Sequence, residues 1–161
     1  MDYLRDKSSL APSGTPHNAA AELVAELDEH LAAHSVLFHQ YLKHAWLAST
    51  PTIKTLMQEQ GSATLVQLEA LADDIVHLGG IPISGPCEHE NLSYLTFERE
   101  GLYSQDAMLR MDLNAEETVV FRLDITVEMV AEREVLRTQR VLERAKGAAA
   151  ARGRRLRRLS L

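Results

Sequence analysis

The chain has little of what staples, anchors or exports a protein. Cys87 is its only cysteine among 161 residues. A lone thiol closes no disulfide within one chain, which excludes a disulfide scaffold and fits a reducing, cytoplasmic compartment. No apolar run reaches the length of about eighteen residues that a membrane span needs. The opening stretch MDYLRDKSSLAPSGTPHN carries no apolar segment of signal-peptide length, so nothing points to export. Aromatics make up only 5% of the sequence, so a core must be built from aliphatic side chains. Glycine-rich phosphate loops, nucleophile elbows, zinc-type Cys/His spacings and HExxH are all missing, which removes the chemistries that depend on them.

What is present is a chain long enough for one domain with a real core. Its charge is uneven. Residues 1–145 carry 11 Lys+Arg against 23 Asp+Glu, while residues 146–161 carry six basic residues and no acid. An acidic body with a basic end suggests two electrostatic roles.

Apolar spacing predicts four long helices and no strand. Residues 1–18 read as a flexible arm, rich in Ser, Pro and Gly. A first helix is expected from about Asn18 to Ala48, with Leu23, Leu27, Leu31, Phe38, Leu42 and Ala45 tracing one face. Thr50 can cap the second, with Pro51 at its first position, where a missing N–H costs nothing. That helix should end at Gly79 and Gly80, and Pro82 blocks its resumption. Gly61 is its weak point. Residues 79–103 form a long connection in which ENLSYL can make one helical turn. The third helix starts near Ser104, and the fourth near Arg133 or after a tight turn there.

Short links make the first and second helices antiparallel, and likewise the third and fourth. The second helix is ~40 Å long at ~1.5 Å per residue. A connection of this length can traverse it, which permits parallel second and third helices and one long crossover. The expected fold is all-α: a ferritin-like four-helix bundle with one long crossover between the second and third helices, carrying a short helix. The bundle spans 19–150, followed by a basic tail at 151–161.

Four of the seven histidines lie in EHLAAHSVLFHQYLKHAW, residues 29–46. His30, His34, Leu37, Tyr41 and His44 fall on one stripe, beside the apolar one. Such a stripe is either a half-buried polar flank or a surface facing a partner or a cavity.

Three blocks in order resemble the Dps miniferritins. VLFHQYLKHAWLAS is similar to their first helix, and LEALADDIVHLGGIP to the close of their second. HENLSYLTFEREGLYSQDAMLRMDLNAEETVVFRL is similar to the crossover and third helix of the halophilic-archaeal branch. The resemblance implies a hollow homo-oligomer of about twelve subunits that binds ferrous iron between two-fold related copies. It also implies oxidation of that iron, usually with peroxide, and storage of the mineral inside. In some members, basic tails bind DNA.

Carried over residue by residue, the resemblance points to an acidic pair on the second helix, here Glu69 and Asp73, in the reverse order of the family pattern. The family's first-helix histidine directly precedes the tryptophan. Here Ala45 precedes Trp46, and His44 stands one residue off, a rotation of about 100°. The histidine and aspartate early in the family's second helix are replaced, by Lys54 and Gln58 or by Met57 and Gly61, depending on where the chain is shorter. The expected metal residues are therefore His44, Glu69 and Asp73, with iron as the metal and an altered oxidation site. The bland alternative for Glu69 and Asp73 is a solvated acidic face extended by Asp74.

The end of the chain reads RGRRLRRLSL. Arg152, Arg154, Arg155, Arg157 and Arg158 either bind DNA phosphates as a free arm or favour the negative end of a docked helix while Leu156 and Leu159 pack. The leading expectation is a Dps-like iron-storage shell. The alternative is a shell-forming, DNA-associating stress protein that has lost iron oxidation.

Overall fold

A computed structural model describes residues 16–96 and 101–159. Most of the expected N-terminal arm, 1–15, lies outside the described residues, as do the last two of the tail. The described chain is all helix: α1 (Pro16–Leu47), α2 (Pro51–His77), α3 (Pro86–Leu92), α4 (Gln105–Glu132) and α5 (Leu136–Arg157). The long helices pair α1 with α2 and α4 with α5. The pairs stack with α1 on α4 and α2 on α5, and α3 packs on α1. No helix among the described residues is long and apolar enough to cross a membrane.

Buried positions follow alternating steps of three and four residues, the period of a helix facing other helices. On α1 the stripe is Leu23, Leu27, His30, His34, Leu37, Tyr41 and His44, and Leu31, Ala32, Ala33, Ser35 and Val36 are buried beside it. On α4 they are Leu109, Asp112, Glu116, Val119, Leu123, Thr126 and Val130. On α5 they are Thr138, Leu142, Ala145, Ala149, Arg152 and Leu156. The histidine stripe is thus not a flank beside the apolar face. It runs down the middle of the buried face, because Leu23, Leu27, Leu37 and Tyr41 share its register while Phe38 and Leu42 are only half-buried.

The helix ends explain the topology. Thr50 accepts a hydrogen bond from the Ile53 N–H, and Pro51 opens α2. α2 closes with Gly80 N–H donating to the Ile75 carbonyl and Gly79 N–H to that of Val76, with Gly79 at φ 83°. Ser104 caps α4 through the Ala107 N–H. The crossover helix starts earlier than ENLSYL suggests, at Pro86. The Glu88 carboxylate takes the Gly85 and Ser84 N–H groups and fixes that start. The connection is tied back to α1 by Asp28, which accepts the Ile83 N–H. Gly61 is buried against Tyr41 and Phe38, so the weak point of α2 lies where α1 approaches closely.

The break between α4 and α5 repeats the α2 ending without glycine. Val135 N–H donates to Val130, Glu134 N–H donates to Ala131, and Glu134 takes φ 56°. A side chain in the left-handed region costs roughly 1–2 kcal/mol, which glycine avoids. Glu134→Gly should therefore raise stability by roughly 1 kcal/mol, and Gly79→Ala should lower it by a similar amount. Urea unfolding read by far-ultraviolet circular dichroism checks both.

Candidate functional site

The bundle interior carries many polar side chains, most of them paired with one another. Glu116 of α4 is fully buried and accepts from Tyr41 Oη at 2.6 Å. Arg152 of α5 forks onto the same carboxylate, Nε to Oε1 at 2.5 Å and Nη2 to Oε2 at 3.1 Å. Burial pushes the Glu116 carboxyl up, while Arg152 and the Tyr41 hydroxyl pull it down. The two-pronged geometry is that of an ionised carboxylate. One turn along α4, Asp112 accepts from Gln40 Nε2 at 2.8 Å and from His44 Nδ1 at 2.8 Å.

The other buried histidines are neutral. Thr126 Oγ1 donates to the Arg122 carbonyl, so it accepts from His30 Nε2 at 2.8 Å; His30 Nδ1 then accepts from the Tyr94 hydroxyl at 3.0 Å. Burial, with His34 and Arg122 adding, holds His30 down to about 3. His34 donates Nδ1–H to the His30 carbonyl at 2.8 Å, and its Nε2 lone pair is buried without a partner. Burial outweighs that hydrogen bond and brings His34 down to about 4.

The three expected metal residues do not meet within one chain. Glu69 and Asp73 lie together, one turn apart, on the exposed side of α2. They sit in a row with Val66 and Val76, which are 58% and 60% exposed. His44 faces inward and is committed to Asp112, away from that row. Trp46, two residues on, is 75% exposed. Among the described residues, no three His, Cys, Asp or Glu side chains are arranged to hold an ion.

The five arginines are divided. The boundary drawn at 151 falls inside α5, which continues through Arg157. Arg152 is buried on Glu116, and Leu156 is fully buried. Arg155 pairs with Glu59 and Arg157 with Glu117 on the surface. Arg154 and Arg158 are exposed. Gly153 is buried against α4, with Glu116 Cβ and Leu113 beside it. Gly147 and Gly153 therefore do not end the helix: tertiary packing overrides their low propensity.

The ferritin-like domain matches residues 24–146, about three quarters of the chain. This chain belongs to the ferritin-like family. Within it the likeness is to Dps proteins. A curated relative, the nutrient stress-induced DNA-binding protein of Synechococcus sp., is 25% identical over 126 residues, covering 74% of this chain and 72% of that protein. Dps from Thermosynechococcus elongatus has the same fold, with a TM-score of 0.85 at 19% identity, covering 91% of this chain and 96% of that one. The dodecameric thioferritin of Bacteroides fragilis superposes with a TM-score of 0.80 at 15% identity, covering 86% and 83%.

Asp112, Glu116 and the inward role of Arg152 were missed in the sequence of this Dps-like protein. A signal was there: Asp112 and Glu116 are in register with Leu109 and Leu123, and Arg152 with Ala145 and Leu156.

The neutral histidines make a pH prediction. Their folded pKa values lie below the unfolded value near 6.5, so the unfolded chain binds more protons. Their contribution is complete above pH 6.5 and is lost as pH falls from there towards about 4 for His34 and about 3 for His30. Glu116, raised in the fold, acts in the opposite direction, its contribution being lost as pH rises above the ordinary carboxylate value. Thermal melts from pH 7.5 to 5.5 should show falling Tm. His34→Asn, which keeps a donor for the His30 carbonyl, should flatten that slope.

Proposed function

We propose that the protein is a subunit of a Dps-like hollow shell of about twelve copies that binds and stores iron in the cytoplasm. The shell protects against iron and peroxide damage and has an atypical oxidation site. The observation that carries this reading is the outward row Val66–Glu69–Asp73–Val76. Exposed valines flank the acidic pair, and an interface between copies that also holds a cation would use both. The oligomer follows the dodecameric relative and the family likeness.

Iron is the cargo here. Hard carboxylate oxygens suit it, and two acids one turn apart on a helix can share one ion. Two carboxylates do not complete a coordination sphere, so a second copy supplies the remainder. His44, the expected imidazole, faces the interior on Asp112 and away from that row. A site without it is slow or purely binding.

DNA association is the second reading, favoured by the likeness to the nutrient stress-induced DNA-binding protein of Synechococcus and by the exposed guanidinium groups at the end of α5. Arg154, Arg155, Arg157 and Arg158 would meet phosphates, and Arg152 would hold the helix end in place. A shell presents many copies, so weak contacts sum.

Three outcomes follow. Light scattering at micromolar concentration should give a mass of about 215 kDa, twelve times the 17.9 kDa chain; a monomer or dimer alone contradicts the shell. Glu69→Ala with Asp73→Ala should abolish specific iron binding, measured by ferrous titration against a metal-free control, with helix content unchanged. Unaltered binding would place the site elsewhere. In a gel shift across a salt series, changing the four exposed arginines to Ala should remove salt-sensitive DNA binding. Binding that persists, or that ignores salt, contradicts the phosphate role.

A further inference from the structure

The bundle interior contains groups that the outward acidic row does not use. Asp112 and Glu116 project inward one turn apart on α4, and His34 and His44 project inward from α1. Inward carboxylates and imidazoles on facing helices are the donor set from which four-helix bundles build interior metal centres. What decides the behaviour of this set is the fifth group, Arg152 from α5.

Its guanidinium lies on both oxygens of Glu116, at 2.5 and 3.1 Å, and is only 3% exposed. A guanidinium stays protonated in any folded environment. It therefore neutralises Glu116 permanently, and a divalent ion approaching that carboxylate meets a fixed positive charge in a medium that screens poorly. The remaining prong, Nη1, is buried and has no partner, so positive charge is left facing the interior. The Tyr41 hydroxyl takes another lone pair of Glu116, at 2.6 Å. The Gln60 side chain donates to the Arg152 carbonyl at 3.4 Å, fixing the backbone that carries the group. Asp112 is taken by His44 and Gln40.

We infer that Arg152 is the resident cation of the bundle interior: it stands on Glu116 where a divalent metal would stand and so closes the subunit interior to metal. The disagreement with an interior iron centre is thus built in by one side chain near the end of α5. The inference concerns the interior alone and holds whether or not Glu69 and Asp73 bind iron.

The test counts cobalt(II) per subunit in the assembled full-length protein, by equilibrium dialysis and by visible absorption from inner-sphere cobalt. The wild type is compared with Arg152→Met and with Arg152→Met combined with Glu116→Gln. The double variant removes both charges, keeps the shape and leaves the Tyr41 contact possible. The wild type and the double variant should bind the same number of ions. Arg152→Met should gain one ion per subunit, with new visible bands and a Tm that rises on adding cobalt. A wild-type count above that of the double variant would mean that the interior already takes metal, and the inference would fall. A folded Arg152→Met with the wild-type count would also overturn it. Should Arg152→Met fail to fold, wild type against double variant still decides.

Discussion

The Arg152–Glu116 pair is the contact on which the rest of the bundle depends. It joins α5 to α4 at the level where Tyr41 of α1 reaches the same carboxylate. Three helices therefore meet on one buried anion. Removing either charged partner alone leaves the other uncompensated in the interior, at a cost of about 3–5 kcal/mol, whereas replacing both by apolar groups is often neutral. Such a pair adds less to stability than to uniqueness, since it fixes the relative slide of α4 and α5. It also explains why a segment with two glycines and five arginines stays helical: Arg152 and Leu156 anchor it from within. The surface pairs Arg155–Glu59 and Arg157–Glu117 add little beyond geometry.

The same pair divides the chemistry of the molecule between inside and outside. Inside, each carboxylate already has a cation or donor, and the histidines His30 and His34 are kept neutral by burial. Outside, Glu69 and Asp73 stand in the open among exposed valines. Under the proposed function, that outer row is where a cation seeking oxygen ligands would bind, with a second copy completing the set.

Much of the fold was legible in the sequence. Helix starts at Thr50–Pro51 and Ser104 and the stop at Gly79–Gly80 carry their own local physics, and the structure uses all of them. The long crossover was legible from loop length and its short helix from ENLSYL, although α3 begins earlier because Glu88 caps Gly85. The polar core was harder to read. A histidine, an acid or an arginine at a core register looks like a flank until its partner on another helix is known. Asp112 and His44 are 68 residues apart, and Glu116 and Arg152 are 36 apart. No local pattern encodes those meetings. The acidic pair was legible only by likeness to Dps proteins, and its outward orientation needed the fold.

The most direct measurement of this division is an anomalous-scattering map at the iron edge from crystals soaked in ferrous iron. The account predicts a peak beside Glu69 and Asp73 on the outer side of α2, shared with a neighbouring copy, and no peak beside Glu116. Iron density inside the bundle, between Glu116 and His44 with Arg152 displaced, would contradict it.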